Sequence, residues 1–179
     1  MSELALLVID AQVGVLAGDH PCVNVPKVLA NIRGLQARAR EAGIPVMFVQ
    51  DDSLLEEGEE AWQIHPAIAP LPGELVVRKT ACDSFCGTNL HEELQARGIR
   101  RLIVAGAQTE YCVDSAVRRA TAQGYHVTLV SDAHTTTDTE VLSGEQIIAH
   151  ANRTFAGFAN LAYSVTVRPA AEITFAAVR

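Results

Sequence analysis

Six consecutive apolar residues, Leu4–Ile9, lie near the start of the sequence and end abruptly at Asp10. Their side chains do not alternate between apolar and polar, which is typical of a strand that is covered on both faces. Such strands occur almost only in parallel sheets with helices on both sides. This segment therefore predicts an α/β fold in which the strand leading to Asp10 is central.

Five further apolar segments of strand length follow, and they alternate with helical stripes. The predicted strands span residues 45–49, 75–78, 101–104, 126–130 and 161–167. Helices are predicted from near Val25, from near Thr88, from between Thr109 and Cys112, and from a capping box at Ser143. Because the connections are mostly short, we expect one domain over residues 1–179 with a three-layer α/β/α architecture. Its sheet should be doubly wound, Rossmann-like, six-stranded and mostly parallel.

The longest stretch without periodicity, residues 50–74, contains three prolines and the only tryptophan, Trp62. A connection of that length in a small domain is usually functional, so we expect it to be a lid over a site. Its first half is acidic, with Asp51, Asp52, Glu56, Glu57, Glu59 and Glu60. These charges form a solvated surface loop or, if the loop overhangs the site, attract a cationic substrate.

Charge and composition indicate which binding partners, which compartment and which cysteine state to expect. The formal net charge is −7 and no face is enriched in Lys or Arg, which argues against nucleic acid or a membrane surface as a partner. The apolar N-terminal stretch lacks the basic flank of a signal peptide, so we expect a cytoplasmic protein. Its cysteines should then be reduced thiols. They are Cys22, Cys82, Cys86 and Cys112.

Three chemically reactive side chains are placed at one edge of the predicted sheet. Asp10 follows the first strand, Lys79 follows the third, and Cys112 lies in the first turn of the helix after the fourth. Ligands of open parallel sheets bind at this carboxyl edge. Taken singly, these residues would be a turn residue, a surface lysine and a small buried cysteine. Together they indicate a nucleophilic site, in which the helix start should lower the pKa of the Cys112 thiol.

Other motifs fail when tested against the sequence. No glycine-rich nucleotide-binding loop follows a strand, and His91 lacks the second histidine of a zinc protease helix. Cys82 and Cys86 have no second ligand pair, so a structural zinc site is not expected. His134 lies just beyond the fifth strand, either in the cleft or in a turn. A ligand-binding module on the same fold and a thiol-redox protein stay open as alternatives.

Three segments together resemble the isochorismatase-like cysteine hydrolases, and the resemblance covers nearly the whole chain. They are residues 6–12 (LLVIDAQ), residues 73–79 (GELVVRK), followed by Phe85 and Thr88, and residues 104–113 (VAGAQTEYCV). The family's catalytic triad falls on Asp10, Lys79 and Cys112. The resemblance implies the isochorismatase-like hydrolase fold and a homo-oligomer, a dimer or larger.

The resemblance also implies a mechanism. Asp10 would accept the thiol proton of Cys112, and the thiolate would attack an amide carbonyl to form a thioester. Lys79 would keep Asp10 ionised and stabilise the thiolate. The backbone N–H groups of Gln108 and Cys112 would form the oxyanion hole, beside a non-proline cis peptide between Ala107 and Gln108.

Two features of the sequence, compared with the family pattern, limit which reactions and cofactors are expected. Metal-binding members use an aspartate and histidines after the second strand, whereas here no histidine occurs between Gln50 and His65, so we expect no metal and no cofactor. Cys112 favours the branch that cleaves C–N bonds, in an amide or lactam, over isochorismatase-type vinyl ether hydrolysis. Residues 108–114 and 132–136 are most similar to the streptothricin hydrolase-like members. The expected substrate is thus a small-molecule amide.

Four residues near the triad or the lid are candidates for substrate contact. Trp62, Phe85 and Tyr111 would enclose an acyl group, and Glu110 would contact a substrate amine. The alternatives are that Phe85 is a core residue and that Glu110 favours the helix start electrostatically.

Overall fold

The computed structural model describes residues 3–53 and 55–175. Its strands are β1 (Leu4–Ile9), β2 (Val46–Asp51), β3 (Leu75–Lys79), β4 (Arg101–Ala107), β5 (His126–Thr135), β6 (Ala159–Asn160) and β7 (Tyr163–Arg168). They form one sheet in the order β3-β2-β1-β4-β5-β7-β6. Neighbouring strands are parallel, except that β6 pairs antiparallel with β7.

The helices pack on both faces of this sheet. They are α1 (Val13–Ala17), α2 (Val25–Glu41), α3 (Leu90–Ala96), α4 (Asp114–Ala122) and α5 (Gly144–Phe155), and a π-helical turn, Thr109–Val113, leads into α4. Among the described residues, no helix is long and apolar enough to cross a lipid bilayer.

Strand β1 explains why the chain forms three layers. Leu6 and Val8 pack in one core with the apolar stripe of α2, whereas Leu7 and Ile9 pack in a second core with α3 and α4. All six residues of β1 are apolar because the alternating side chains of a central strand enter two separate cores.

The predicted fold class is confirmed, with a seventh strand that the sequence did not indicate. Strand β6 has two residues, too few to produce a recognisable period. The strand predicted to begin at Leu161 begins at Tyr163, because Leu161 is fully exposed in a turn with a φ of 54°. Strand β4 continues to Ala107, three residues further than predicted.

The strand order reverses between β1 and β4, and ligands of open α/β sheets bind at such a point. Gly106 allows the two strands to approach there. Its φ is 126°, and a Cβ at this position would lie 2.0 Å from the carbonyl oxygen of Ile9. Only glycine fits, which brings the end of β4 directly beside the end of β1.

Candidate active site

The carboxyl ends of the first three strands deliver a buried ionic cluster. Asp10 follows β1, Asp51 ends β2, and Lys79 ends β3, where it is the register partner of Asp51. The Lys79 Nζ lies 2.8 Å from Asp10 Oδ2 and also forms a short hydrogen bond to Asp51 Oδ2. The three side chains are at most 3% exposed. One ammonium is therefore shared between two carboxylates.

Cys112 joins this cluster from the π-helical turn. Its Sγ lies 3.5 Å from Lys79 Nζ, and a carboxylate oxygen of Asp10, one of Asp51 and this sulfur all lie within 4.8 Å of one another. The structure thus brings together the three residues that the sequence singled out, Asp10, Lys79 and Cys112. It adds Asp51 as a fourth member.

Two local features hold the acids in place. Asp10 has a φ of 44°, a left-handed conformation that few non-glycine residues adopt and that aspartate adopts more readily than most. The buried Gln12 side chain accepts a hydrogen bond from the Asp51 N–H (2.8 Å) and donates to the carbonyls of Asp51 (3.0 Å) and Trp62 (2.9 Å). This amide ties the start of the α1 segment to the end of β2.

The peptide bond between Ala107 and Gln108 is cis in the structure. The Gln108 carbonyl accepts hydrogen bonds from the N–H groups of Tyr111 (3.2 Å) and Val113 (3.1 Å), which closes the turn that presents Cys112. Gln108 and Cys112 both line the cavity described below.

Burial and charge set the protonation of the cluster. Burial raises the pKa of Asp10 to about 6, although the Lys79 ammonium partly opposes this. Burial alone would lower the pKa of Lys79, but the two carboxylates raise it above its usual value. For Asp51, hydrogen bonds from Lys79 and Ser53 outweigh burial and lower the pKa. Near neutral pH the cluster therefore contains two carboxylates and one ammonium.

The expected low pKa of the Cys112 thiol is wrong for this arrangement. Burial raises the pKa of Cys112 and the nearby charge of Asp10 raises it further, which outweighs the attraction of Lys79. The thiol therefore keeps its proton at rest, and Asp10 is the adjacent group that can take it. The Asp10 carboxylate is held by its 2.8 Å ion pair with Lys79, and one of its oxygens lies within 4.8 Å of the Cys112 sulfur.

Asp10, Asp51 and Cys112 are also the one group of potential metal ligands found in the described part of the chain. The Lys79 ammonium contacts all three and already supplies the positive charge that a metal ion would provide. The donor set is thus poorly suited to a cation, and the absence of a metal stays a prediction.

A cavity of about 940 Å³ opens above the cluster. Its floor contains Asp10, Asp51, Gln108 and Cys112; Val15, Leu55 and Tyr111 line its walls. Its rim, from residues 18–20 and 137–140, carries Asp19, His20, Asp138 and Glu140.

Of the four residues predicted to contact substrate, one lines the cavity and three do not. Tyr111 lines the cavity and is half exposed, but Trp62, Phe85 and Glu110 are not among its lining residues. Phe85 is a core residue, 6% exposed and stacked on Tyr125 at 6.1 Å between ring centroids. This position agrees with the alternative of a core residue, and a contact of Phe85 with substrate stays a prediction.

The Trp62 side chain contacts Asp52 of the predicted lid and Arg78 of β3. Its indole N–H donates to Asp52 Oδ1 at 3.0 Å, and the Arg78 guanidinium lies 4.7 Å over its ring. Glu110 is half-buried, and its Oε2 has no hydrogen-bond partner among the described residues. Neither side chain is among the residues that line the cavity, and a role for either in substrate contact stays a prediction. Whether the 51–74 segment closes stays a prediction.

The acidic run is not a uniform solvated loop. Asp51 is buried in the cluster, while Asp52 and Glu57 both pair with Arg78 at 2.8 Å. Leu54 lies outside the described residues, and its neighbours Ser53 and Leu55 line the cavity.

His134 is neither a cleft residue nor a turn residue, since it lies buried in β5. Its Nδ1 pairs with the Thr109 hydroxyl at 2.9 Å and its Nε2 with Asn152 at 3.0 Å. Burial lowers the pKa of His134. A neutral imidazole thus connects the start of the π-helical turn to α5.

Sequence reasoning missed Asp51 and the bridging role of Gln12. Asp51 directly follows a buried apolar strand, as Asp10 does, and that position was the available signal. It went unused because five other acidic residues follow within nine positions. No sequence pattern indicated the contacts of Gln12, which depend on how the 50–74 segment folds back.

Comparison with known proteins identifies the family of this chain. Residues 4–160 match the family model described as "Isochorismatase domain". A streptothricin hydrolase from Streptomyces noursei is 39% identical over 75% of this chain, which spans only 50% of that protein. A ureidoacrylate amidohydrolase from Agrobacterium fabrum is 38% identical over 74% of this chain and 75% of its own length.

Solved structures show the same architecture. The crystal structure of an isochorismatase from Pseudomonas putida KT2440 superposes with a TM-score of 0.86 and 32% identity, covering 96% of this chain and 90% of that one. Family model, relatives and superposition agree over most of the chain, and this protein belongs to the isochorismatase family of hydrolases.

Proposed function

We propose that this protein is a cysteine-dependent hydrolase that cleaves a C–N bond, in an amide or lactam of a small molecule, through a thioester intermediate. The observation that carries the proposal is the position of Cys112, whose Sγ lies at the floor of an open cavity beside Lys79 and Asp10. Two relatives support it by name, as a streptothricin hydrolase and an amidohydrolase.

In the first half-reaction Asp10 takes the proton of the Cys112 thiol, and the sulfur attacks the substrate carbonyl carbon. Lys79, 3.5 Å from the sulfur, stabilises the developing thiolate. The backbone N–H groups of Gln108 and Cys112 hold the oxyanion. The C–N bond then breaks, the amine nitrogen receives the proton from Asp10, and the acyl group stays on sulfur.

In the second half-reaction water replaces the amine. Asp10 accepts a proton from the water molecule, the hydroxide attacks the thioester, and the C–S bond breaks. The acid leaves and the proton returns from Asp10 to the sulfur of Cys112. Asp10 therefore acts in turn as base and acid, which suits a pKa of about 6.

The test compares wild type, Cys112→Ala and Cys86→Ala on a panel of amides, lactams, streptothricin and ureidoacrylate. Cys86 is exposed and outside the cavity lining, so its variant controls for loss of any thiol. We expect wild type and Cys86→Ala to release amine and to show an acyl adduct on Cys112 after acid quenching, and Cys112→Ala to show neither. Turnover by Cys112→Ala at the wild-type rate would contradict the proposal.

Isochorismate belongs in the same panel, because the family includes vinyl ether hydrolysis. Its cleavage without a covalent adduct would favour that alternative. Binding of panel compounds without turnover would favour a ligand-binding module. The homo-oligomer expected from the resemblance stays a prediction, and light scattering after size-exclusion chromatography tests it.

A further inference from the structure

We infer that the substrate of this site carries a positive charge, a protonated amine or a related cation, outside the bond that is cleaved. The inference rests on the proposed function and names the substrate class that the cavity selects. Its support is the charge of the residues that line the cavity, from the floor to the rim.

The floor is net negative. Asp10 and Asp51 contribute two carboxylates, Lys79 contributes one ammonium, and the Cys112 thiol keeps its proton at rest. Asp10 lines the cavity, is 1% exposed and is ion-paired with Lys79 at 2.8 Å. One of the two negative charges at the floor is thus left uncompensated by the Lys79 ammonium.

The rim adds three acids that have no neutralising partner in the described part of the chain. Asp19, Asp138 and Glu140 are exposed there, and none forms an ion pair with a Lys or Arg among the described residues. Asp138 is held in place because its Oδ1 accepts the Gly144 N–H at 2.7 Å. His20 is the only basic side chain lining the cavity within the described residues.

The source of this charge differs from the acidic run noted in the sequence. Asp52 and Glu57 of that run are neutralised by Arg78, whereas the rim acids come from segments 18–20 and 137–140. Like charges around a concave mouth focus the electrostatic field and raise the local concentration of cations. A carboxylate-bearing amide meets the opposite effect, with no arginine or lysine at the described rim to receive it.

The size of the cavity agrees with a substrate larger than a bare amide. Its volume of about 940 Å³ lies near the upper end of the range typical of small-molecule sites. Val15, Leu55 and Tyr111 also line the cavity and supply apolar surface. A molecule with its amide at Cys112 therefore has room to extend within the same cavity toward the rim acids.

The first experiment measures this charge preference without requiring turnover. Two methanethiosulfonates, one with a trimethylammonium group and one with a sulfonate, react with the protein under identical conditions. In each case the cysteine sulfur forms a mixed disulfide and methanesulfinate leaves. Peptide mapping gives the rate at Cys112, and the rate at exposed Cys86 in the same sample corrects for reagent reactivity.

We expect a corrected cation-to-anion rate ratio at Cys112 of about 10 or more at low ionic strength, falling toward one as salt screens the rim. The triple variant Asp19→Asn, Asp138→Asn, Glu140→Gln should lower that ratio at least about threefold. These changes remove charge and retain shape. The amide oxygen that Asp138→Asn introduces can still accept the Gly144 N–H.

The second experiment uses amides that differ only in an ammonium, hydroxyl or carboxylate end group. The inference requires kcat/KM to fall in that order. In the triple variant the differences in kcat/KM between the three amides should become smaller. Equal corrected rates in the first experiment, or a carboxylate preference in the second, overturn the inference and leave the proposed function standing. If Cys112 reacts with neither reagent and the protein hydrolyses no amide, both the inference and the proposed function fail. Charge selectivity without hydrolysis of any amide overturns the proposed function alone.

Discussion

Asp51 and Lys79 are register partners at the carboxyl ends of β2 and β3, and their side chains form a buried ion pair that also includes Asp10. The Lys79 ammonium offsets part of the cost of burying the two carboxylates, and one negative charge is left over. Because Lys79 also pairs with Asp51, it lowers the pKa of Asp10 less than it would if it were paired with Asp10 alone. Asp10 thus keeps a raised pKa and stays able to exchange a proton with Cys112.

The first prediction concerns pH. Asp10 must be ionised to accept the thiol proton, and burial places its pKa at about 6. As pH falls through that value Asp10 becomes protonated, so kcat/KM should fall about tenfold for each unit below it. A kcat/KM profile on the best substrate of the panel measures this. An acid limb near the ordinary aspartate value would contradict the raised pKa.

The second prediction is that Asp51→Asn moves this acid limb to lower pH. The charge of Asp51 raises the pKa of Asp10, and Asp51 also competes for Lys79. Removing that charge leaves the ammonium to Asp10 alone, which lowers the Asp10 pKa. Asp52→Asn is the matched control, because Asp52 pairs with Arg78 instead and should leave the limb in place. The prediction is wrong if the acid limb of the kcat/KM profile moves equally in both variants, or only in Asp52→Asn.

Much of the fold follows from local pattern. The apolar run of β1 and the capping box at Ser143, which forms as expected with Gln146, depend on neighbouring residues alone. Asp10, Lys79 and Cys112 were found because each directly follows or closely follows a strand, and the strand ends of a parallel sheet meet at one edge.

The rest depends on contacts that sequence does not encode locally. Asp51 is one acid among six in its run, and only its register opposite Lys79 distinguishes it. The ring of Phe85 enters the core because of an irregular turn that has no period to detect. The rim acids Asp19 and Asp138 line the same cavity although more than a hundred residues separate them in the sequence, so no sequence spacing predicts that they are neighbours of one site.

The third prediction concerns the loss of the shared cation. Lys79→Met leaves Asp10 and Asp51 buried without a counter-charge, which should lower the free energy of unfolding by about 3–5 kcal/mol near neutral pH and abolish turnover. The penalty should shrink as pH falls, because protonation removes the buried charges. Urea unfolding at about pH 8 and at about pH 5 measures both effects.

A second variant tests the electrostatic origin of that loss. Adding Asp51→Leu to Lys79→Met removes one of the two unpaired carboxylates, so the double variant should be more stable than Lys79→Met alone at the higher pH. If the double variant is the less stable of the two, the lysine contributes through packing instead of through charge.

The fourth prediction concerns the close approach of β4 to β1. In Gly106→Ala the new Cβ would meet the backbone of Ile9 at 2.0 Å, in a residue whose φ of 126° is also unfavourable for alanine. We expect a loss of about 3 kcal/mol or more in the free energy of unfolding, and a loss of activity because Asp10 and Cys112 are held by these two strands. Gly34→Ala in α2 is the control, since no atom of the described residues would lie within 4 Å of its Cβ and alanine there should stabilise the helix by about 0.5–1 kcal/mol. Urea denaturation of both variants separates the site-specific clash from a general effect of replacing glycine. A Gly106→Ala protein as stable and as active as wild type would mean that the two strand ends need not touch for the cluster to form.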